Sequence, residues 1–216
     1  MTEGAKQTVL LLHAAVVGAW SLNLLGRRLE REGFKVINHD YPNRKLTIFE
    51  AAEDILPLWK KVADENPGPV HIAGHSMGGL VARRLLNLHQ PPNFSRLITM
   101  GTPHKGSPLA DSLHNWIFYQ WLFGPAGQDL ITARPIDWPG PWPPAYEIGL
   151  VAGSVPVGPG TLTLRGRSDG TVLAESSQPS GGTDYVTVPA THTSIPYLKI
   201  TAKLAANFFR TGRFKI

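Results

Sequence analysis

Short apolar runs alternate along this chain with longer segments whose apolar residues recur at helical spacing. The first run, Thr8 to His13, is continuous, which is typical of a strand buried on both faces. Further short runs of this kind occupy residues 34–38, 70–73, 96–100, 147–153 and 184–188. The alternation predicts a three-layer α/β/α sandwich around about six mainly parallel strands.

The segments between these runs carry the marks of helices. Residues 20–32 repeat leucines at helical spacing and end at Gly33, and Thr47 and Glu50 form a capping box that opens a second helix. A helix after Ser76 is expected to run to about Leu88. A last helix over 196–209 is expected to turn its apolar residues inward, namely Ile200, Leu204 and Phe208.

Composition limits the classes of protein that fit. The 216 residues, 42% of them hydrophobic, suit one globular domain spanning 1–216. No apolar run reaches the ~18 residues that cross a bilayer, and no secretory signal is visible, so a cytoplasmic location is expected. Without cysteine, disulfides, thiolate metal sites and a cysteine nucleophile are excluded.

The net charge of +5 does not by itself indicate a nucleic-acid partner. Its denser clusters, Arg27 to Arg31 and Arg83 with Arg84, fall on predicted helices and suit solvated outer faces. A nucleic-acid surface would need a denser basic stripe with interleaved aromatic residues. We therefore expect a small-molecule partner and no nucleic acid.

The regular alternation breaks between residues 108 and 146. This window is rich in aromatic residues and prolines and predicts a small lid-like insertion. Trp116, Trp121 and Phe123 are candidates for contact with substrate, either as a lid or as the wall of an acyl-binding site. Ordinary packing of a short helix on the core is an equal alternative.

The segment from Val70 to Leu80 contains the most specific chemical signal. A buried strand is followed by Gly74-His75-Ser76-Met77-Gly78 and then by a helix. In such a sharp strand-to-helix turn the serine hydroxyl stands clear of the backbone, and the flanking glycines relieve the crowding. The helix N-terminus favours negative charge at the same point. The pattern predicts Ser76 as a nucleophile.

A serine nucleophile needs a histidine base and a carboxylate that orients it. His192 follows the last predicted strand directly, which is the position expected for the base in this architecture. Asp169, in a tight turn before Gly170, is the expected acid. Alternative carboxylates belong to Glu175, Asp184 and, as a poorer candidate, Asp137.

Two backbone N–H groups should receive the oxyanion that forms during attack. One is expected at Met77, directly after the nucleophile, and the other in the loop after the first strand, at Ala15 or, as second choice, Ala14. His104 follows the fourth strand and is a candidate for substrate contact or, alternatively, for packing behind the site. No histidine or carboxylate spacing suggests a metal site.

These motifs together resemble the α/β-hydrolase superfamily, near its bacterial lipase, esterase and inositol-deacylase-like branch. The resemblance rests on Gly74 to Gly79, Gly101 to Ser107, Ser168 to Val172 and His192, and covers nearly the whole chain. Relative to the usual eight strands, the first two are missing. The family usually has His-Gly after its first core strand, whereas this chain has His13-Ala14, so the resemblance leaves the shape of that loop open.

The resemblance implies a carboxylic ester hydrolase, an esterase or lipase, that works without a cofactor through an acyl-enzyme. The triad would be Ser76, Asp169 and His192, and the substrate a small ester or a lipid. The same triad would serve a thioesterase, an amidase or an acyltransferase. A non-catalytic binding protein of this fold is a more distant alternative.

Overall fold

Six parallel strands form the centre of the protein, in the order β2-β1-β3-β4-β5-β6. The computed structural model describes residues 6–134, 138–142, 146–179 and 181–215. The strands are β1 (Thr8–Leu12), β2 (Lys35–His39), β3 (Val70–His75), β4 (Phe94–Met100), β5 (Glu147–Gly153) and β6 (Asp184–Val188).

Eight α-helices accompany the sheet in the described residues. They are α1 (Asn23–Arg31), α2 (Ile48–Glu65), α3 (Met77–Leu88), α4 (Pro108–Leu113), α5 (Ile117–Phe123), α6 (Pro125–Gln128), α7 (Ala174–Ser177) and α8 (Lys199–Thr211). Two 3-10 turns precede α1 and α8, at Ala19–Leu22 and His192–Tyr197.

The sheet separates two apolar cores because neighbouring side chains of a strand point to opposite faces. On β1, Leu10 and Leu12 face one core with α2 and α3, while Val9 and Leu11 face the other with α1 and α8. All five residues of β1 are buried. The predicted three-layer α/β/α sandwich with about six parallel strands is confirmed.

A local sequence signal fixes the beginning of α2. The capping box at the start of α2 is present: Glu50 N donates to Thr47 Oγ1 at 3.2 Å, and Thr47 N donates to Glu50 Oε2 at 2.8 Å.

In α8, Leu204 and Phe208 are buried as expected, but the expectation for Ile200 is wrong, since this side chain is 41% exposed. It belongs to the first turn of α8, next to the exposed Lys199.

The window after β4 forms the three short helices α4, α5 and α6. Tyr119 and Ala126 join the core of α2 and α3, so this segment is anchored. Asp129 fastens it further, because its carboxylate accepts a hydrogen bond from Ile48 N at 2.9 Å, at the beginning of α2. Three of the prolines in this window, Pro135, Pro143 and Pro144, lie outside the described residues.

Parallel pairing brings all six carboxyl ends of the strands to one edge of the sheet. The segments that follow β1, β3, β4, β5 and β6 begin at residues 13, 76, 101, 154 and 189. The fold therefore brings the candidate functional residues of five different segments to one side of the molecule.

Candidate active site

Ser76 occupies a strained turn between β3 and α3, with φ 53° and ψ −122°. A Cβ at Gly74 would lie 2.5 Å from the backbone of Gly78, and a Cβ at Gly78 would lie 2.2 Å from the carbonyl oxygen of Leu12. Only glycine fits at either flank, because backbone meets backbone there. The turn therefore has the shape expected of a nucleophile elbow.

The hydroxyl of Ser76 lies 2.9 Å from Nε2 of His192. His192 begins the 3-10 turn that follows β6, and a capping box between Thr191 and Ser194 fixes this turn. Ser76 is 9% exposed and His192 8% exposed, so little solvent reaches the pair. Low exposure strengthens hydrogen bonds between these groups.

Asp169 completes a chain of three side chains, with Oδ2 lying 2.8 Å from Nδ1 of His192. Its other oxygen, Oδ1, accepts hydrogen bonds from the amides of Thr171 at 3.0 Å and Val172 at 2.7 Å. The amide of His192 also donates to the carbonyl oxygen of Asp169, at 2.8 Å. Each oxygen of this buried carboxylate thus has a partner, and the imidazole has a fixed orientation.

The alternative carboxylates have other surroundings. Asp184 accepts hydrogen bonds from the amides of Tyr185 and Phe214, at 2.9 and 2.8 Å. Glu175 is exposed in α7. Asp137 lies outside the described residues. Among the carboxylates that the structure describes, Asp169 is the one that contacts the imidazole of His192.

Of the expected oxyanion donors, Met77 directly follows Ser76, and Ala15 lies in the loop after β1, the strand that pairs with β3. Met77 begins α3, and neither its amide nor that of Ala15 donates a hydrogen bond to another described residue. Ala14 is buried and Ala15 half-buried. The positive φ of this loop occurs at Val16, at 69°, and not at Ala14. The alanine that replaces the usual glycine therefore follows a path that alanine can adopt.

Two residues that sequence reasoning missed hold this loop in place. The hydroxyl of Tyr41 donates to the carbonyl oxygen of His13 at 2.6 Å, and the two rings stack at 4.1 Å. The side chain of Asn43 donates to the carbonyl oxygens of Ala14 and Val17, at 2.8 and 2.6 Å. Their only sequence signal is a position just after β2, at the same edge of the sheet.

A second missed contact joins the serine turn to the histidine loop. His75, which is fully enclosed, donates from Nε2 to the carbonyl oxygen of His192 at 2.9 Å. Burial lowers the pKa of His75 to about 3, so the ring is neutral at pH 7. On the other side of the turn, Thr102 Oγ1 donates to the carbonyl oxygen of Ser76 at 2.8 Å.

The structure places the candidate substrate residues in different environments. His104 is buried, with Nε2 3.0 Å from Thr99 Oγ1 and its ring 4.7 Å from that of Trp142, so it packs behind the site. Burial, aided by the Arg83 guanidinium, holds the pKa of His104 well below 6.5. Trp116 and Trp121 are exposed, whereas Phe123 is half-buried against Tyr119.

Neither a metal centre nor a membrane span is found in the part of the chain that the structure describes. No three histidines or carboxylates there approach each other closely enough to hold a metal ion. None of the described helices has both the length and the apolar character that crossing a bilayer requires.

Residues 43–122 match the family described as PGAP1-like alpha/beta domain. Among curated proteins, the lysosomal thioesterase PPT2 of Rattus norvegicus is 24% identical over 59% of this chain, and that of Homo sapiens 27% identical over 46%. These matches cover 46% and 40% of the two relatives, so the chain spans less than half of their length.

Solved structures resemble a larger part of the chain. The mature lipase BlEst2 of Bacillus licheniformis superimposes with a TM-score of 0.77 at 19% identity, over 99% of this chain and 94% of that one. Lipase B of Aspergillus fumigatus gives a TM-score of 0.63 at 12% identity, over 95% and 52%. The sheet and these likenesses show that the chain has the α/β-hydrolase fold.

Proposed function

We propose that this protein is a serine hydrolase that cleaves carboxylic esters or thioesters through an acyl-enzyme. The observation that carries the proposal is the chain of short contacts from Ser76 Oγ to His192, at 2.9 Å, and from His192 to Asp169, at 2.8 Å. The lipase and thioesterase names among the similar proteins support the same class of reaction.

In the first half of the reaction, His192 Nε2 takes the hydroxyl proton as Ser76 Oγ attacks the acyl carbon. Asp169 stabilises the imidazolium, and the amides of Met77 and Ala15 bind the oxyanion. The tetrahedral intermediate then breaks its bond to the leaving alcohol or thiol, which takes the proton from His192. This leaves an ester between the acyl group and Ser76.

In the second half, a water molecule gives a proton to His192 and attacks the acyl-enzyme. Collapse of the second tetrahedral intermediate releases the carboxylic acid and returns the proton to Ser76. An alcohol in place of water would make an acyltransferase, and an amine leaving group an amidase. All four reactions need the same three side chains, so the class of acceptor and leaving group must be measured.

Labelling with a fluorophosphonate probe tests the nucleophile directly. The wild-type protein should react and Ser76→Ala should not, and hydrolysis of p-nitrophenyl acetate should follow the labelling. Ser112→Ala is the matched control, because Ser112 is exposed and its hydroxyl bonds, among the described residues, only to the Pro108 carbonyl oxygen. Equal labelling of Ser76→Ala and the wild-type protein would contradict the proposal, and an unreactive wild-type protein would indicate a binding protein.

Paired substrates distinguish the ester and thioester activities. Oxygen and sulfur esters of the same acyl group present the same carbonyl to Ser76 and differ in the leaving atom. The curated relatives are named thioesterases, whereas the two lipases superimpose over more of the chain. We propose that both substrates are turned over in a Ser76-dependent way, and the ratio of their kcat/KM values assigns the preference.

The exposed aromatic side of α5 is proposed as a wall for the acyl group. The Arg44 guanidinium donates to the carbonyl oxygen of Trp121 at 3.0 Å and lies 5.0 Å from its ring. Arg44 directly follows Asn43, which holds the loop of Ala14. The aromatic residues therefore lie next to the proposed oxyanion loop, at the edge that also bears Ser76.

An acyl chain-length series tests this wall. Trp121→Ala should lower kcat/KM for long acyl chains and leave acetyl esters unchanged. Leu162→Ala is a control for loss of an exposed apolar side chain, since Leu162 is 98% exposed. A flat response to chain length in the wild-type protein would contradict a role in acyl binding, while leaving the Ser76 labelling unaffected.

A further inference from the structure

A polar cavity of about 630 Å³ lies apart from the three proposed catalytic side chains. It opens between the exposed side of β6, the end of β5 and the segment that precedes α7. Its volume is in the range of small-molecule sites. The polar side chains of its lining include Arg165, Arg167, Glu175, Gln178, Tyr185 and Thr187.

Two guanidinium groups give this cavity a positive character. Arg165 and Arg167 both line it, and within the described chain neither forms an ion pair or a side-chain hydrogen bond. Glu175 is the acidic residue of the lining, so the cations outnumber the carboxylates two to one. Guanidinium forks without a protein partner are suited to bidentate binding of an oxyanion.

The other polar groups of the cavity add hydrogen-bond donors. Gln178 Nε2 is buried and has no acceptor among the described residues. A buried N–H without a partner is unfavourable, so rotation of this side chain towards a ligand acceptor in the cavity would be favoured. The hydroxyl of Tyr185, which is 64% exposed, is also without a partner in the described structure. The charged side chains of the lining are thus mainly hydrogen-bond donors.

We propose that this cavity binds a phosphate monoester. Arg165 and Arg167 hold the phosphate oxygens, and Gln178 donates to the same group. A phosphate dianion has enough acceptor oxygens for both forks and the amide, whereas a carboxylate has only two oxygens. Glu175 accepts a hydrogen bond from a hydroxyl of the ligand's alcohol part.

The position of the cavity links its occupancy to the segment that carries Asp169. The amide of Ala174 donates to the carbonyl oxygen of Arg167 at 2.8 Å, and Ser168 pairs with Leu173. A ligand held by Arg167 and by Gln178 after α7 would therefore hold both ends of this turn. Binding should raise the temperature of unfolding, because the ligand binds the folded chain alone.

Calorimetric titration of the full chain with glycerol phosphate tests the site. The titration uses Ser76→Ala, so that it does not depend on the proposed hydrolase activity. Arg165→Ala/Arg167→Ala should weaken binding at least ~10-fold, and Gln178→Leu should weaken it ~3-fold or more. Arg27→Ala/Lys60→Ala is the matched control, since it removes two exposed cations from α1 and α2.

The outcomes separate clearly. Unchanged binding in the control together with the loss in Arg165→Ala/Arg167→Ala supports the site, provided that circular dichroism shows both proteins folded. Equal losses in the two double variants would overturn it, as would binding of acetate as tight as that of glycerol phosphate. Failure here leaves fluorophosphonate labelling of the wild-type protein intact, so the two proposals fail independently.

Vesicles distinguish the two sources of a phosphate monoester. Sedimentation with vesicles of phosphatidic acid in phosphatidylcholine, lost in Arg165→Ala/Arg167→Ala but kept in Arg27→Ala/Lys60→Ala, identifies a lipid headgroup. Binding of glycerol phosphate without sedimentation identifies a soluble ester. Absence of binding in both assays would overturn the proposal.

Discussion

Nε2 of His75 donates a hydrogen bond to the backbone carbonyl oxygen of His192, 2.9 Å away. The bond joins the residue before the proposed nucleophile to the proposed base. The two rings are 5.3 Å apart, so the residues also pack against each other. Because His75 is neutral and enclosed, it can act as a fixed support that positions the backbone of His192.

Replacing His75 tests this support. We expect His75→Phe to lower kcat for ester hydrolysis about 10-fold with little change in KM, because the imidazole of His192 loses its alignment with Ser76. His75→Gln keeps a donor and should recover part of kcat. His89→Phe is the control, since its ring has no hydrogen bond in the described structure. Equal kcat in His75→Phe and the wild-type protein would refute the positioning role.

Asp169 and Asp184 provide a matched pair of carboxylates. Asp169→Asn should lower kcat by about 10³–10⁴-fold, because the amide no longer stabilises the imidazolium of His192. Asp184→Asn should keep kcat and lower the free energy of unfolding, because its carboxylate accepts two backbone hydrogen bonds. Steady-state kinetics and urea denaturation measure both effects. A larger loss of kcat in Asp184→Asn than in Asp169→Asn would contradict the assignment of Asp169 as the carboxylate that orients His192.

Two buried glycines should respond to alanine in opposite ways. A methyl group at Gly78 would lie 2.2 Å from the Leu12 carbonyl oxygen, so Gly78→Ala should destabilise the fold by about 1–3 kcal/mol or more. At Gly26, within α1, the nearest atom would be 3.4 Å away, and Gly26→Ala should stabilise by about 0.5–1 kcal/mol. Urea titration measures both. Destabilisation by both substitutions would contradict the assigned spacing around Gly26.

Buried histidines should make the fold sensitive to acid. Burial lowers the pKa of His71 and of His75 from 6.5 to about 3. At a pH between about 3 and 6.5, these two histidines bind protons in the unfolded chain but not in the folded chain. Their contribution to stability is therefore complete above pH 6.5 and is lost as the pH falls towards 3.

His71→Phe isolates one of these groups. Its ring packs 4.7 Å from that of Phe209, so phenylalanine suits the site, and it lies at the edge of the sheet opposite Ser76. Below pH 6.5 the free energy of unfolding falls with decreasing pH. This fall should be less steep in His71→Phe than in the wild-type protein, by about 1.4 kcal/mol per pH unit. Denaturant titrations from pH 4 to 8 measure this slope. An unchanged slope would show that His71 does not contribute.

The parts of the fold that follow from local chemistry could be predicted from sequence. The apolar run of β1 and the capping box at Thr47 act within a few residues, and both are present. The position of Ser76 follows in the same way from its flanking glycines. His192 and Asp169 can be named as candidate partners from sequence because a parallel sheet brings the ends of its strands to one edge, which limits where partners can lie.

The remaining features depend on contacts between distant parts of the chain. Asn43 contacts Ala14 and Val17 because β1 and β2 are neighbours in the sheet, and its own surroundings in the sequence do not show this. Helical spacing predicts Ile200 on the inner side of α8, but Thr201 and Ala202 occupy the buried positions of this first turn. The positive φ of Val16 is similarly a product of its packing, since valine disfavours that conformation.

The backbone angles of Ser76, φ 53° and ψ −122°, suit glycine far better than serine. A non-glycine residue held in such a conformation costs about 1–3 kcal/mol, and the rest of the domain must supply that energy. Ser76→Gly should consequently unfold at a higher temperature than the parent protein while losing its reactivity. The domain gives up stability at the position of the proposed nucleophile, whose hydroxyl this turn holds 2.9 Å from His192 Nε2.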